Sequence, residues 1–522
     1  MNDNKNKRNK ILKIAGLIGL FLLVFGISFA LFTVTLNGTK KNRITTGSMS
    51  IKLTEMDGTL ISTPGNDYKT STSYMINLEN QIPISDSEGK EIEGYQYKLV
   101  NDGTVDARYK LYLKVPSSVT LDAQYIKFDL EQDGEKVTFE PELLSSMESS
   151  TVTDSDNDTF TLYKIDGDLI NHSDDTTYKL RLWVDEDADN AAMDKEFIAW
   201  LYVDAQQKTS STNPFKDDTI AYAIYRDNPK PKRLDSVNAT GFDTTYGETA
   251  GLYSTTDMNG GDTYFYRGPV ENNYFKKEGQ ASVNAFDRFY RVREDGTVIA
   301  PLLSLQNASS YSDVSNSFVH YKDSNIYTVI NQELQQIAAQ LKAQPTTWCS
   351  DSKMRTNADY NSIFLSDLES GYTANLMGPF SKLNLNGTTL SEIESAEGDA
   401  QIALIKKVKF DIDLSCRAED KYQSAFSEFS AWDAVLAGYG FDGGSSFFNL
   451  GFDVYLNSMA VSLTDGTNYE ENAYVLSSGG ISTTSPDNRR GIFVMYSFPK
   501  NIRVLSGNGT EANPYVLKDY YS

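Results

Sequence analysis

Apolar and polar positions alternate with a period of two along much of the first 205 residues. Ala107, Tyr109, Leu111, Leu113 and Val115 share one face of such a stretch, and Arg108, Lys110, Tyr112 and Lys114 share the other. This is the pattern of a strand with one buried side. Met49, Ile51 and Leu53 alternate with Ser48, Ser50 and Lys52 in the same way, and Tyr178, Leu180, Leu182 and Val184 with Lys179, Arg181 and Trp183. Phe197 to Val203 is apolar throughout. Strands joined by Gly, Asp, Asn and Ser turns, with no helical period among them, predict an antiparallel, jelly-roll-like β-sandwich over 31–205.

The pattern changes after residue 205. From Gln206 to Pro214 the chain is polar, and Asn228-Pro229-Lys230-Pro231-Lys232 follows, which reads as a linker over 206–248. Beyond it, Ile330, Leu334, Ile337 and Leu341 recur at helical spacing between Ser324 or Asn325 and Pro345, predicting an amphipathic helix over 326–343. A second helix is predicted over 427–437, stopped by Gly438 and Gly440. Strands are expected at Phe289 to Val292 and Thr297 to Ile299 around the Glu294-Asp295-Gly296 turn, and at Ile502 to Leu505 and Tyr515 to Leu517. The chain is therefore expected to be mainly β, with an α+β domain with long loops over 249–522.

The amino terminus has neither period. Lys5, Lys7, Arg8, Lys10 and Lys13 stand against a single acid, Asp3, and residues 14–32 are 19 positions without a charge. As a helix that run spans roughly 28 Å, close to the hydrocarbon core of a bilayer. Ser28-Phe29-Ala30 places small residues where a signal peptidase accepts them, so cleavage between Ala30 and Leu31 is expected, with an uncleaved membrane anchor through residues 14–32 as the alternative. Either outcome puts the rest of the protein outside the cytosol. In Leu31–Leu36 the side chains of Phe32, Val34 and Leu36 fall on one face and Thr33 and Thr35 on the other. Such a strand, once freed, is a candidate assembly strand that adds to a sheet edge of a neighbour.

The formal charge of the chain is −23, or −27 once the +4 stub is removed, a field that repels nucleic acid. Only two cysteines occur, Cys349 and Cys416. Outside the cell such a pair is expected to form a disulfide, which would stabilise by about 4 kcal/mol through chain entropy; two buried thiols are the alternative. With two histidines, His172 and His320, a Ser-His-Asp triad or a histidine-rich zinc site is nearly excluded by inventory. Carboxylates are plentiful, and a hydrolase using a pair of them stays open. Asp154, Asp156 and Asp158 form one acidic run, and Asp185, Asp187 and Asp189, with Glu196 at the twelfth position, form another. Both are weighed as calcium sites, but Thr159 and Asn190 stand where a calcium loop needs its glycine, and solvated acidic loops are the favoured reading. Thirty-two tyrosines suit sheet faces, and also contact surfaces for sugars or proteins.

Several stretches carry a likeness. The basic stub and apolar segment, Ser28-Phe29-Ala30-Leu31-Phe32-Thr33, Thr46-Gly47-Ser48-Met49-Ser50-Ile51, and Tyr97-Lys98-Leu99-Val100-Asn101-Asp102-Gly103-Thr104 before the strand from Ala107 resemble the TasA/camelysin family of exported proteins processed by a SipW-type signal peptidase. The likeness covers about 31–205. It implies a jelly-roll sandwich and a surface or biofilm-matrix role that includes fibre formation. In the second half, Tyr264-Phe265-Tyr266-Arg267-Gly268, Glu271-Asn272-Asn273-Tyr274, Trp348-Cys349 and Gly507-Asn508-Gly509-Thr510-Glu511-Ala512-Asn513-Pro514-Tyr515 resemble an uncharacterised bacterial surface domain related to C-type-lectin-like and formylglycine-enzyme-like folds. Fold likeness alone gives no activity. The expectation is a non-enzymatic, secreted or cell-surface bacterial protein without a cofactor, whose partners are its own copies or cell-wall and matrix components. The alternatives are an adhesin whose carboxy-terminal domain binds a glycan or protein, and the surface hydrolase.

Overall fold

The computed structural model describes residues 48–518 apart from 64–74, 80, 139, 155–156, 189–191, 239–249, 314–320, 340, 351–381 and the shorter stretches 385–386, 388, 406, 408, 417, 441–442, 445, 449–451, 464–468 and 478–479. It is mainly β, with 45% strand and 14% helix. Two separate hydrophobic cores mark two modules.

The first module is a sandwich of two antiparallel sheets. One runs β2 (Leu60–Ser62), β1 (Ile51–Glu55), β4 (Tyr95–Asn101), β11 (Asp174–Val184), β6 (Ile126–Gln132) and β7 (Glu135–Lys136), with β8 (Glu142–Leu143) also on β6. The other runs β3 (Met75–Glu79), β12 (Glu196–Gln207), β5 (Ala107–Pro116), β10 (Thr159–Ile170) and β9 (Ser149–Thr153). The alternation in β5 does what the sequence leads one to expect. Ala107, Tyr109, Leu111, Leu113 and Val115 are all at most 4% exposed and enter the core between the sheets. Its outer face is also covered in part, since the Lys114 ammonium lies 4.1 Å from the centre of the Phe160 ring, an arrangement worth up to about 2 kcal/mol when dry.

A short helix, Asp86–Lys90, packs on the outer face of the first sheet. Its start is written in the sequence as Ser85-x-x-Glu88, and both halves of that capping box form. Gly89 gives the Trp183 ring room, because a Cβ there would lie 2.3 Å from Trp183 Cε2. Gly89→Ala is expected to cost about 1–3 kcal/mol through overpacking, read as a lowered urea midpoint with an unchanged slope; an unshifted midpoint would mean that the indole moves aside freely.

The second module is built on a ten-stranded sheet. In order it holds Lys232–Arg233, Gly251–Thr256, Asp262–Arg267, Arg291–Val292, Val298–Ser310, Arg489–Phe498, Val454–Leu463, Tyr469–Ser477 and Gly480–Thr484, with Phe426–Glu428 also on Arg489–Phe498. The helix Ala431–Ala437 lies buried against it, with Ser430 and Asp433 forming its capping box and Gly438 in the left-handed conformation at its end. Arg267 donates to the carbonyl oxygens of Val435 and Leu436 in the last turn of this helix, where carbonyls lack a full set of partners within the helix. Arg291 is buried between Asp257 at 2.8 Å and Asp433 at 3.3 Å. Most tyrosines among the largest buried side chains, such as Tyr266, Tyr290, Tyr321 and Tyr455, fill this core, as expected of sheet faces.

Two expected helices are altered. The run 326–343 becomes Asn325–Thr328, a π turn over Val329–Glu333, and Gln335–Ala338. Ser324 caps it as expected, accepting from the Tyr327 amide at 3.1 Å, but Thr328, Val329 and Ile330 are three β-branched residues in succession, which crowd a regular turn. The run 427–437 shortens to 431–437, because Phe426–Glu428 pairs as a strand with residues 494–496. The Gly507-Asn508-Gly509 motif serves packing: Tyr274 donates its amide to the Gly509 carbonyl at 2.7 Å, and a Cβ on Gly509, whose φ is +80°, would lie 2.3 Å from the Asn272 oxygen. Cys349 and Cys416 form the disulfide, with Cα atoms 5.9 Å apart. Among the described residues no helix is long and apolar enough to cross a membrane; the segment 14–32 lies outside them.

The stretch read as a linker, 206–248, is ordered over 206–238 and joins both cores. Helix Ile220–Asp227 and Phe215 pack into the second core, while residues 215–218 lie against the sandwich.

Candidate functional site at the junction of the modules

Strand β10 carries the charges of the junction because its alternation breaks. Lys164 pairs opposite Tyr112 and Asp166 opposite Leu111, which leaves Ile165 as an extra residue, a bulge. Beyond a bulge the faces exchange. Asp166 and Asp168 therefore lie opposite Leu111 and Tyr109, on the core side, whereas Lys164 and Gly167 lie opposite Tyr112 and Lys110, on the outer side.

On the outer side, Asp217 sits between two buried cations. It is 2.8 Å from Arg108 and 3.0 Å from Lys164, and Lys164 also meets Asp218 at 2.8 Å. The Asp217 amide donates to the Gly167 carbonyl at 2.9 Å, an approach that a side chain at Gly167 would obstruct, its Cβ falling 2.9 Å from Asp217 Oδ2. Burial pushes the Lys164 ammonium towards the neutral form, but Asp218 and Asp217 outweigh it and hold its pKa above the ordinary lysine value. Arg108 also donates to the Phe215 carbonyl at 3.1 Å and lies 5.2 Å from the Tyr222 ring centre.

On the inner side, Lys216 reaches Asp166 at 2.9 Å and Gln132 Oε1 at 2.6 Å. Asp166 also accepts from the Tyr178 hydroxyl at 2.7 Å, and Tyr178 and Tyr109 share a hydrogen bond. Burial, followed by the charge of Asp166, pushes both phenols well above the ordinary tyrosine range. Further along, Glu142 of β8 is buried beneath Arg503 at 2.7 Å and Lys518 at 2.6 Å. Beside these ion pairs lies a cleft of about 420 Å³, walled by Gln132, Asp133, Glu135 and Asp168 of the sandwich, by Phe215 and Lys216, and by Glu294, Asp295, Lys500 and Asn501 of the second module. Burial pushes Asp168 up to about 6, although Lys216 pulls the other way. Lys500 pairs with Asp295 at 3.0 Å.

No family model, no curated protein and no solved structure matches this chain. The likeness to the TasA/camelysin family and to the lectin-like surface domains rests on the motifs alone, and the junction has to be read from its own chemistry. Acids outnumber cations on the cleft wall, and both lysines there already hold carboxylates. The arrangement is suited to fixing two modules against one another and to taking up a proton.

The residues singled out from sequence lie elsewhere. Asp154 and Asp158 close the turn between β9 and β10, with the Asp158 amide donating to Asp154 Oδ1 at 3.1 Å. Asp185 and Asp187 follow β11, and Asp185 lies 3.3 Å from Lys127, which also holds Asp86 at 2.9 Å. An ammonium thus serves as counter-ion to Asp185. Glu196 opens β12 and accepts from Asn77 at 3.0 Å. Asp156, Asp189 and His320 lie outside the described residues, as do the cleavage pair Ala30 and Leu31 and the assembly strand with Phe32, Val34 and Leu36. Among the described residues no group of three or more His, Cys, Asp and Glu side chains is placed to hold a metal. His172, exposed, pairs with Asp106 at 2.8 Å, and its hydrogen bonds hold that carboxyl below the usual aspartate value. Periodicity pointed past the junction itself, where the signal was a fault in the alternation at Ile165.

Proposed function

We propose that this protein is a non-enzymatic extracellular surface or matrix protein that self-associates by strand addition. The observation that carries the reading is the edge of the five-stranded sheet. Strand β9 pairs only with β10 among the described residues, and Ser149, Ser150, Thr151 and Thr153 are exposed. A short, uncharged edge of this kind is open to another strand, and Leu31–Leu36 has the alternation to supply one. The first described residue, Ser48, is fixed to Thr104 at the junction end of the sandwich, its amide donating to Thr104 Oγ1 at 2.9 Å. Residues 37–47 allow up to about 36 Å between that anchor and the strand; a strand of one copy added to the edge of another is a head-to-tail contact, which propagates where its rotation does not close into a ring. The Cys349–Cys416 disulfide supports an oxidising compartment.

Electron microscopy of the chain beginning at Leu31, against the same chain lacking 31–36, tests the reading. Polymers are expected only from the longer form; polymers from both would sink it. The adhesin alternative is favoured by the cleft, whose carboxylates can accept from hydroxyls. Its test is a glycan array probed with the full chain, where silence with and without calcium counts against it.

A further inference from the structure

We propose that the cleft between the modules is an acid-closed joint: a proton on Asp168 favours the closed contact between β10 and residues 214–219, and ionisation of Asp168 loosens it. The geometry carries this. The bulge at Ile165 turns Asp168 to the core side of β10, beside the Asp166 carboxylate two positions earlier. The second module and the connecting segment wall the space in front of it. Among the described residues its one hydrogen-bond donor is the neighbouring Leu169 amide, at 2.7 Å.

The charged groups facing Asp168 come from every element of the joint: Asp166 from its own strand, Arg108 from β5, Asp133 and Glu135 from the β6–β7 hairpin, Lys216 from the connecting segment, and Glu294, Asp295 and Lys500 from the second module. Lys216 is already engaged by Asp166 and Gln132. Burial and the charge of Asp166 outweigh the pull of Lys216 and Arg108, so the closed joint holds the Asp168 proton up to about pH 6. Opening would expose the half-buried carboxyl further and withdraw Lys216, while Asp166 stays beside it on β10; burial is the larger of the two effects lost, so the carboxyl falls towards the ordinary aspartate range. The sign follows. Between about pH 4 and pH 6 the closed form binds a proton that the open form does not, so closure is favoured at the acid end and the advantage is lost as pH rises through 6. Each pK unit of difference between the two forms changes the ratio of closed to open about tenfold.

Hydrogen exchange at the Asp217 amide, which crosses the joint to the Gly167 carbonyl, reads that ratio after correction for the intrinsic rate. From pH 4 to pH 8 its protection is expected to fall about tenfold or more, the fall lying between pH 4 and pH 6 and complete above 6, while the Leu113 amide in the sandwich core keeps its own profile. In Asp168→Asn the part of this fall that lies between pH 4 and pH 6 disappears. The difference between the two proteins separates Asp168 from the other carboxylates. Identical pH profiles in wild type and D168N, or a wild-type profile with no fall between pH 4 and pH 6, would overturn the proposal. Asp168→Ser serves as the second variant, and circular dichroism of each confirms that the modules remain folded.

Discussion

Asp217→Ala is expected to destabilise the protein by about 3–5 kcal/mol, the usual cost of removing one partner from a buried ion pair. The reason lies in what remains. Arg108 and Lys164 are 5% exposed each, and Asp217 is the carboxylate between them. Without it Arg108 keeps only the Phe215 carbonyl and the Tyr222 ring, and Lys164 keeps Asp218 and a distant Glu148 at 3.6 Å. The two cations then face each other in a dry setting. Denaturant unfolding followed by circular dichroism measures the loss. Because the site joins both cores, the variant is also expected to split one unfolding transition into two. A loss under about 1 kcal/mol would show that water enters the site freely. Changing Arg108, Lys164 and Asp217 together to apolar residues is expected to restore much of the loss, as replacement of a whole buried cluster often does.

Glu428→Gln is expected to do the opposite and raise stability above about pH 4.5, by up to about 1.4 kcal/mol per pH unit. Glu428 is 1% exposed on the strand Phe426–Glu428, and neither carboxylate oxygen has a hydrogen-bond partner among the described residues. Its surroundings are tyrosines: the Tyr321 hydroxyl accepts from the Glu428 amide at 3.2 Å, and Tyr422 bonds to the adjacent Ser427. Burial raises its pKa well above the ordinary glutamate value, so the native state keeps a proton that the unfolded chain releases above about pH 4.5. Native stability therefore falls as pH rises beyond that value, by about 1.4 kcal/mol per unit for as long as the group stays neutral. Glutamine carries no such charge. The gain should be near zero at pH 4 and grow towards pH 7 in chemical denaturation of the two proteins; a gain independent of pH would rule out this cause.

Much of the sandwich was legible because its strands are amphipathic: β5 and β11 declare themselves by alternation, and a one-residue slip would turn every apolar side chain outward. The helix Asp86–Lys90 was also written locally, in its capping box, but five residues are too few to show a period. In the second module the sheet is covered on both faces, and strands such as Phe426–Glu428 bury all their residues, so they carry no period of two and can be mistaken for helix. The junction was the least legible part. Its polar composition between Gln206 and Pro214 is that of a linker, yet Phe215 packs against Tyr225 and Tyr264 of the second core, and Lys216 and Asp217 find their charge partners some fifty to a hundred positions earlier, at Arg108, Lys164 and Asp166. No local pattern contains that information. The candidate calcium residues illustrate the converse, since a spacing of acids says nothing of the lysine that reaches Asp185 from β6.

The position of Asp217 also bears on how such modules are exchanged between proteins. The core of the sandwich closes by residue 207, but its counter-ion is encoded ten residues later, beyond the last strand. A gene segment cut at the end of β12 would transfer the sheets and leave behind the carboxylate that neutralises Arg108 and Lys164. A transferable unit has to extend through Thr219, so that it ends on the cap of a helix, Ile220–Asp227, that packs in the other core.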